Sequence, residues 1–431
     1  MTANSNNLFH VASPGCLLSQ LEIFSVPATQ LAIAETRSNY YRPISTLTNS
    51  QIIEFSLPSL SEYYYDLSTS LLYIKLKIVK SDGTALTAEE SVNRVALTQN
   101  TLSSLFADAD VYLNNRLISS SNGHYNYISY IETLLSYDQG AKNTYLTASG
   151  WTEKDLNDRS KKSKESKEVE FIGRLNCDIF KQNRLILPEV EIRIRLVRKS
   201  DSFVIDQAAE SKLENLKINI IDAQFECKTV KTTNSVYLAH SKTLNSTNAK
   251  YPFRSVGLKT YPIIAKSNTA FIDNVFLSSI PIRMVMALVK DSSFHGTYAE
   301  NGYHFNNHKL KSLTVKLNNS EVQPVIKTDY ANSNFVKAYQ SLFEGLGIYG
   351  KNLGNNITPV KFSESNCLYC FDLTNDLSSS DLSHANFNRS GVVNLELVFA
   401  TAPDNNLVLV IYYEFQNCLE INSSRDILLQ I

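Results

Sequence analysis

One short pattern of letters occurs twice in this 431-residue chain, about 200 residues apart, and it limits the folds open to the sequence. The first copy is VYLNN at 111–115 and the second is VKLNN at 315–319. In both copies alternating apolar residues run into a pair of asparagines. This combination predicts a strand that ends in a turn, because asparagine tolerates left-handed backbone angles. We therefore expect two copies of one β-rich unit.

A short amphipathic helix is predicted after each copy, since apolar residues recur there at helical spacing. Both helices are expected to be inserted among strands. Their apolar positions are Ile128, Ile131, Leu134 and Leu135 after the first copy, and Phe335, Tyr339, Leu342, Phe343 and Leu346 after the second.

The flanks of the two copies also agree in order, which favours a tandem duplication over a chance match. IVK at 78–80 recurs as LVK at 288–290, and each run enters a turn with a glycine, Gly83 or Gly296. Further downstream the matches are Asn176-Cys177 with Asn366-Cys367, VEIRIRLV from Val190 with VNLELVFA from Val393, and strands that reach Phe225 or Phe415.

The pattern of predicted elements indicates an all-β fold. SLLYIKLKIV alternates apolar and polar residues as a half-buried strand does, and NLVLVIYYEF is apolar on both faces like a central strand. There is no alternation of strands with helices of the kind that builds parallel sheets. We predict two tandem antiparallel jelly rolls of eight strands, each with a short inserted helix.

The predicted division of the chain has three parts. Residues 1–46 form an extended N-terminal arm that gains order by packing on something else, residues 47–227 the first jelly roll, and residues 228–431 the second. The charged stretch at 152–169 is predicted to be an exposed, mobile loop. The last residues, INSSRDILLQI, are expected to pack either on their own domain or on a neighbour.

The charge balance argues against specific binding of nucleic acid. The formal net charge is −1 at pH 7, so no overall field draws the chain to a polyanion or to an anionic membrane. The N-terminus lacks the basic and apolar regions of a signal peptide, and no apolar run approaches the length of a membrane-spanning helix. We expect a chain without a membrane span, made in a reducing compartment.

Three motifs are candidates for sites of chemistry. Cys367 and Cys370 form a CxxC, but no second pair accompanies them, so small core residues are the favoured interpretation. GLGIYGKN at 345–352 matches a phosphate loop only in part, since Asn352 replaces the Ser or Thr and the predicted helix comes first; Gly347 is interpreted as a helix C-cap. His304 and His308 are interpreted as turn residues. We predict no enzyme, no cofactor, and no catalytic, cofactor-binding or metal residue.

Several blocks together resemble the major capsid proteins of Maverick/Polinton elements and the related adintoviruses. The blocks are SEYYYDLSTSLLYIKLKIVKSDGTAL, LFADADVYLNNRLISSSNGHYNYISYIETLL, NVFLSSIPIRMVMALV with FHGTYAENGYHFNNH, and GVVNLELVFA with VLVIYYEF. The resemblance runs from about residue 45 onward. One departure is Asn301-Gly302, where the family pattern leads us to expect Asn-Pro.

The resemblance implies a hexon-like double jelly roll that acts as a structural protein of an icosahedral virion. It implies homotrimeric, pseudo-hexameric capsomers and capsomer–capsomer contacts, with a penton protein, minor capsid proteins, a packaging ATPase and a maturation protease as further partners. Synthesis is expected in the host cell cytosol. Two alternatives stay open: a lectin-like binding or adhesion module built from two sandwiches, and an enzyme on the same scaffold.

Overall fold

The strands of the first half pair antiparallel in a computed structural model of the chain, which describes residues 10, 12–48, 50–211, 213, 215–322, 324–381 and 383–430. In chain order these strands are β1 (Ile33–Tyr41), β2 (Ile52–Leu57), β3 (Tyr63–Val79), β4 (Val95–Leu97), β5 (Phe106–Leu113), β6 (Arg116–Ser119), β7 (Val169–Gly173), β8 (Ile192–Arg198), β9 (Ile205–Gln207) and β10 (Lys217–Thr232).

Two four-stranded sheets form the first half, with strand orders β1-β10-β3-β7 and β2-β8-β5-β6. Among the described residues, the short strands β4 and β9 form a two-stranded sheet with each other. When the eight strands of the large sheets are numbered along the chain, these orders read 1-8-3-6 and 2-7-4-5. Two interleaved antiparallel sheets of this kind are a jelly roll.

The second half repeats that order. Its sheets follow β11-β21-β14-β18 and β12-β20-β15-β16, which again read 1-8-3-6 and 2-7-4-5 among the main strands. The predicted double jelly roll is therefore confirmed. The strands are β11 (Ala249–Ile263), β12 (Thr269–Phe276), β13 (Ser279–Ile280), β14 (Arg283–Lys290), β15 (Leu310–Leu317), β16 (Ser320–Glu321), β17 (Ile326–Lys327), β18 (Leu368–Asp372), β19 (Arg389–Ser390), β20 (Val393–Phe399), β21 (Leu407–Ile421) and β22 (Ile427–Gln430).

Short helices fill the connections between strands. The α-helices are α1 (Ala88–Ser91), α2 (Thr101–Ser104), α3 (Tyr125–Ser136), α4 (Gln139–Asn143), α5 (Leu156–Ser163), α6 (Asp201–Val204), α7 (Asn234–Leu244), α8 (Asp291–His295), α9 (Val336–Gly345) and α10 (Pro359–Glu364). Single 3-10 turns lie at Ser19–Leu21, Tyr145–Ser149, Lys164–Ser166, Asp178–Lys181 and Tyr330–Asn332.

The apolar alternation read from the sequence places the core as expected. In β3, Leu72, Ile74, Leu76 and Ile78 are fully buried between the two sheets of the first jelly roll. The first six residues of β21, Leu407–Tyr412, are buried on both faces, and β21 pairs with β11 on one side and β14 on the other. It is the central strand that its composition predicts.

The repeated asparagine pairs form the same turn in both halves. Asn114 and Asn115 have φ angles of 44° and 65° between β5 and β6, and Asn318 and Asn319 have φ angles of 48° and 68° between β15 and β16. Two consecutive residues with positive φ define the type I′ turn that matches the twist of a tight hairpin. The predicted strand–turn units are confirmed.

The two predicted amphipathic helices are α3 and α9. The four apolar positions of α3 are buried, and those of α9 are buried or pack against the core. Helix α9 ends where Gly347 adopts a φ of 65°. The Gly347 N–H donates to the Glu344 carbonyl and the Ile348 N–H donates to the Phe343 carbonyl, which is a Schellman cap. Gly347 is the helix cap that the sequence predicts.

The predicted boundaries at residues 46 and 227 can be set beside the elements of the structure. Residues 33–41 of the predicted arm form β1, which pairs along its length with β10. The predicted boundary at residue 227 falls inside β10, which continues to Thr232 and is followed by α7. The C-terminal tail packs on its own domain, because β22 pairs with β21.

The charged stretch at 152–169 is a structured segment, not the mobile loop predicted. It contains α5, whose buried positions are Ser160 and Ser163. Arg159 of α5 is anchored in the first roll. Its guanidinium is 2.5 Å from the Asp206 carboxylate and 2.6 Å from the Leu97 carbonyl, and its side chain is 11% exposed.

One of the sequence matches does not correspond in space. Asn176-Cys177 follows β7, whereas Asn366-Cys367 precedes β18, and these strands occupy the same place in their two sheets. The pair therefore sits at opposite ends of equivalent strands, and its recurrence in the sequence does not support the duplication.

Candidate functional site at the junction of the two jelly rolls

Aromatic rings from both jelly rolls pack into one buried cluster. Tyr130 of α3 stacks on Tyr303 of the second roll, with ring centroids 4.0 Å apart and planes within 5°. Tyr127, one turn earlier on the same helix, stacks on Phe294 at 5.0 Å. Aromatic pairs contribute about 0.5–1.5 kcal/mol each beyond the area they bury. This cluster holds α3 against the connection that follows β14.

Hydrogen bonds fix the orientation of these rings. The Tyr127 hydroxyl donates to the Gly302 carbonyl at 2.7 Å, and the Tyr303 hydroxyl lies 2.6 Å from Ser104 Oγ in the first roll. Buried hydroxyls are costly to leave unpaired, so each bond specifies one relative placement of the two rolls. The rings and their bonds together form a rigid contact.

Two glycines of the second roll let its chain lie directly on Phe203 of the first. A Cβ atom at Gly302 would stand 2.5 Å from the Phe203 ring, and one at Gly296 would stand 2.8 Å from Phe203 Cβ. Only glycine fits in this contact without movement of its neighbours. The departure from the family pattern at Asn301-Gly302 therefore has a structural basis in this chain, because a proline ring would occupy the place of Phe203.

Lys142 joins the helical connections of the two rolls. Its Nζ donates to the Leu134 carbonyl at 2.8 Å and to the Asn355 carbonyl at 2.7 Å, and its side chain lies against the Trp151 ring. Burial lowers the pKa of Lys142 to about 8. The ammonium is still charged at neutral pH, so it binds both carbonyls as a cation.

A network of charged side chains lies deeper in the same junction. Glu414 on β21 accepts from Arg283 at 2.6 Å and from Arg254 at 3.3 Å. Although burial would raise its pKa, these two guanidinium groups hold the pKa of Glu414 below its usual value. Glu132 of α3 faces this group and pairs with Lys181 at 2.8 Å. The charges are paired, as buried charges must be.

Asp178 crosses from the first roll to the second within this network. Its Oδ2 accepts from the Val256 N–H of β11 at 3.2 Å. Burial raises the pKa of Asp178 to about 6, in spite of Lys181 nearby. The Asp178 carboxyl therefore joins the two rolls through a hydrogen bond, and the charge of this carboxyl depends on pH.

The C-terminal segment fastens the opposite end of the junction. Arg425 donates to the Pro188 carbonyl at 2.8 Å and pairs with Glu189 at 3.0 Å, both in the first roll. In return the Asn114 amide donates to the Arg425 carbonyl at 2.9 Å, and Arg116 donates to the Ile427 carbonyl. The two rolls are thus joined at the aromatic cluster, at Lys142, at Asp178 and at the C-terminal segment.

The candidate cysteine pair and the candidate histidine pair are packed within the fold. Cys367 and Cys370 are buried, and burial raises the pKa of their thiols to about 11 and about 12, so neither is a thiolate at neutral pH. His304 bonds the Glu364 carbonyl at 2.9 Å, and burial lowers the pKa of His308 to about 4. Both histidines lie in a turn.

No group of three or more His, Cys, Asp and Glu side chains within the described ranges is arranged to hold a metal ion. Among the helices of the described residues, none has both the length and the apolar character needed to span a bilayer.

Sequence reasoning assigns no residue to the junction in advance. The signal is nevertheless present in the blocks that carry the family resemblance, since HYNYISYIETLL contains the two stacking tyrosines of α3 and FHGTYAENGYHFNNH contains both glycines and the rings that meet them. What the letters do not reveal is that these two blocks face each other, although Tyr127 and Gly302 are 175 residues apart.

Comparison with known proteins supports this architecture. No protein-family model matches the chain. A curated relative, the uncharacterized protein F54H12.2 of Caenorhabditis elegans, is 20% identical over 414 residues, which cover 93% of this chain and 98% of the relative. The alignment therefore extends over both halves of the chain.

Solved structures of viral capsids have the same fold across nearly the whole chain. A chain of the Sputnik virophage superimposes with a TM-score of 0.67 at 12% identity and covers 99% of this chain and 95% of its own length. The PBCV-1 virus capsid gives 0.60 at 12% identity, covering 95% and 99%. The mavirus major capsid protein gives 0.55 at 11% identity, covering 96% and 93%. The chain therefore has the fold of hexon-like, double jelly-roll major capsid proteins.

Proposed function

We propose that this chain is a major capsid protein that builds an icosahedral shell. The observation that carries the proposal is the rigid junction between two rolls of identical strand order. A subunit that must fill two neighbouring, similar positions of a shell needs two similar wedges held at one fixed angle. Aromatic packing, the bond between Asp178 and the Val256 N–H, and the C-terminal segment supply that fixed angle.

The assembly unit in this proposal is a homotrimer. Three chains present six similar jelly rolls around one axis, which makes a pseudo-hexamer able to tile flat facets beside identical neighbours. The contacts between chains lie on the sides of the wedges, where an interface of standard size buries roughly 1,600 Å². Residues 10–32, which precede β1, form the arm that orders on assembly, and the units that follow are the first roll through β10 and the second roll from β11.

The further partners follow from the same role. We infer that a penton protein closes the vertices and that minor capsid proteins join the capsomers, with the packaging ATPase and the maturation protease acting on the assembled shell. The chain resides in the virion after synthesis in the host cytosol. A full-length relative in an animal supports a Maverick/Polinton origin, in which the gene lies in a host genome.

The lectin-like alternative is not favoured. It offers no reason for two rolls to be locked together over their whole length, and the capsid structures of Sputnik, PBCV-1 and mavirus match both rolls in one chain. We also propose that the role is structural and not enzymatic. Asp178 and Lys142 are engaged in bonds that join the rolls, and burial explains their perturbed pKa values without a reaction.

Negative-stain electron microscopy of the purified full-length chain tests the proposal. We expect hexagonal capsomers, each built from three subunits. Closed shells are expected when the ionic strength and the protein concentration are raised. The variant Gly302→Ala is expected to reduce the yield of capsomers, because it disturbs the angle between the rolls. Uniform single particles with the outline of one double roll, under every condition, would refute the capsid role.

A further inference from the structure

A cleft of about 1030 Å³ runs between the two rolls beside the charged network. It continues into a second cavity of about 440 Å³, since Glu132, Arg254, Arg283 and Glu414 line both. The larger part is bounded by residues 181–184 of the first roll and by residues 252–254, 383–388 and 416–418 of the second. These segments lie near the start of β11 and the end of β21, at the end of the molecule where the C-terminal segment clasps the first roll.

The cleft carries more positive than negative charge. Its lining includes Lys181, Arg184, Arg254 and Arg283 against Glu132 and Glu414. Arg184 donates to the Lys250 carbonyl at 2.6 Å, and among the described residues it has no carboxylate within ion-pair distance. A ligand with a carboxylate is therefore favoured over a neutral or cationic one.

The unpaired atoms of the cleft are of both hydrogen-bonding kinds. Within the described part of the chain, Arg254 Nε and the Asn386 amide nitrogen are buried donors without a protein partner, and Glu132 Oε2 is a buried acceptor without one. Such atoms are costly to leave unpaired. An inorganic anion would satisfy only the donors. A peptide backbone presents N–H and C=O groups in alternation and satisfies both kinds.

The chain itself contains a segment of matching chemistry. In the arm before β1, seven apolar side chains are between 61% and 96% exposed, and Glu22 lies among them as the only charged residue from position 10 to position 32. The hydrogen bonds of described residues 12–30 are all local. The exposed residues are Leu17, Leu18, Leu21, Ile23, Phe24, Val26 and Leu31.

The arm is also long enough to reach another molecule. It is anchored where Thr233 bonds the carbonyls of Leu31 and Ala32. The ten residues from there back to Glu22 span roughly 33 Å when extended. We propose that the arm of a second copy of this chain lies in the cleft between the rolls, with Glu22 against the cations and the apolar residues on either side of it buried. This inference rests on the proposed capsid role, because it makes the cleft an assembly contact.

Two native cysteines allow a test on the unmodified chain. Cys16 is exposed in the arm and Cys418 lines the cleft, whereas Cys177, Cys227, Cys367 and Cys370 are buried. Capsomers or shells assembled from equal amounts of ¹⁵N-labelled and unlabelled chain are treated with a short bismaleimide and analysed by mass spectrometry. We expect Cys16–Cys418 links that join labelled to unlabelled chains, and their loss in Cys16→Ser and in Cys418→Ser.

A charge exchange gives a second readout. Glu22→Lys and Arg184→Glu are each expected to reduce the cross-linked fraction to background, and the double variant is expected to restore it. Glu22→Lys combined with Lys242→Glu, an exposed charge on α7 away from the cleft, is the matched control and should not restore it. Links only within single chains, or cross-linking unchanged by the charge variants, would overturn the arm contact. Shells that form without any Cys16–Cys418 link would overturn it too, yet would leave the capsid role standing.

Discussion

Asn114 and Asn318 make the same two contacts in the two jelly rolls. The Asn114 side chain accepts from the Glu191 N–H at 2.8 Å while its backbone N–H donates to the Glu191 carbonyl at 3.0 Å. Asn318 does the same with Val392, at 2.9 Å and 3.0 Å. In both rolls the partner directly precedes the seventh main strand, so one residue type ties the hairpin to the strand beside it. A duplicated unit explains this identity.

These asparagines are expected to be required twice over, for their backbone angles and for their side chains. Asn114→Ala loses the side-chain bonds to Glu191 and Arg425 and places alanine, which tolerates left-handed backbone angles less well than asparagine, at a φ of 44°, for a combined cost of about 1–3 kcal/mol. Asn114→Gly keeps the backbone angle and loses only the side-chain bonds, those to Glu191 and to the Arg425 carbonyl. Thermal unfolding should rank wild type above Asn114→Gly and Asn114→Gly above Asn114→Ala, with the same order at position 318. Equal stability of all three would contradict the assigned role of the turn.

The contact between Gly302 and Phe203 predicts a compensating pair of mutations. Gly302→Ala forces the new Cβ against the Phe203 ring and should lower stability by about 1–3 kcal/mol. Phe203→Leu alone leaves a space in the aromatic cluster and also destabilises. Because the smaller side chain gives room for the new methyl group, the double variant should lose less than the sum of the two single variants. Strict additivity would show that the two residues do not touch.

Asp178 predicts a pH dependence of known sign. Its pKa is about 6 in the folded chain and about 3.9 in an unfolded one, so the folded state retains the proton between these values. The stability it contributes is present below about pH 4 and is lost as pH rises through 6, by about 2–3 kcal/mol in all. Asp178→Asn stays neutral and still accepts from the Val256 N–H. Its melting temperature should exceed that of wild type at pH 7.5 and should approach it at pH 4.5.

Asp273→Asn is the matched control, because Asp273 is exposed on β12. This variant should show the same difference in melting temperature between pH 4.5 and pH 7.5 as wild type. If the melting temperature of Asp178→Asn lies below that of wild type at pH 7.5, the ionised carboxylate stabilises the junction and the predicted sign is wrong.

Lys142 predicts a local effect. Lys142→Met removes the ammonium from the Leu134 and Asn355 carbonyls, and each carbonyl left without a partner costs about 1–3 kcal/mol. Hydrogen exchange should quicken around residue 355 and at the end of α3, while the strands of both sheets keep their protection. Lys242→Met, on an exposed face of α7, should change neither region. Unchanged exchange near residue 355 would remove Lys142 from the junction.

The sequence predicts most of the sheet framework because the main strands bury one face and alternate accordingly. Strand β1 does not show this alternation and could not be predicted from it. It is an edge strand whose residues are mostly exposed, so IAETRSNYY carries no apolar alternation and its letters predict only an extended arm. Helix α5 could not be predicted from an apolar pattern either, since its buried face consists of serines and not of apolar residues. In both cases tertiary pairing decides the structure where the local pattern is weak.

The junction is beyond sequence reasoning for a different reason. Tyr130 and Tyr303 look like ordinary core aromatics when each is read within its own unit. Only the packing of one roll on the other shows that they stack across the boundary. Their separation in the sequence does not indicate how two separately folded units pack on each other.

The mass of the full-length chain in solution, measured by native mass spectrometry near neutral pH, tests the proposed trimeric capsomer most directly. One chain has a mass of 48.4 kDa, and the capsid role predicts a dominant species of three times that mass, with six sandwich-shaped densities when the same sample is imaged by cryo-electron microscopy. A dominant species of 48.4 kDa at micromolar concentration, with no trimer, would contradict that role.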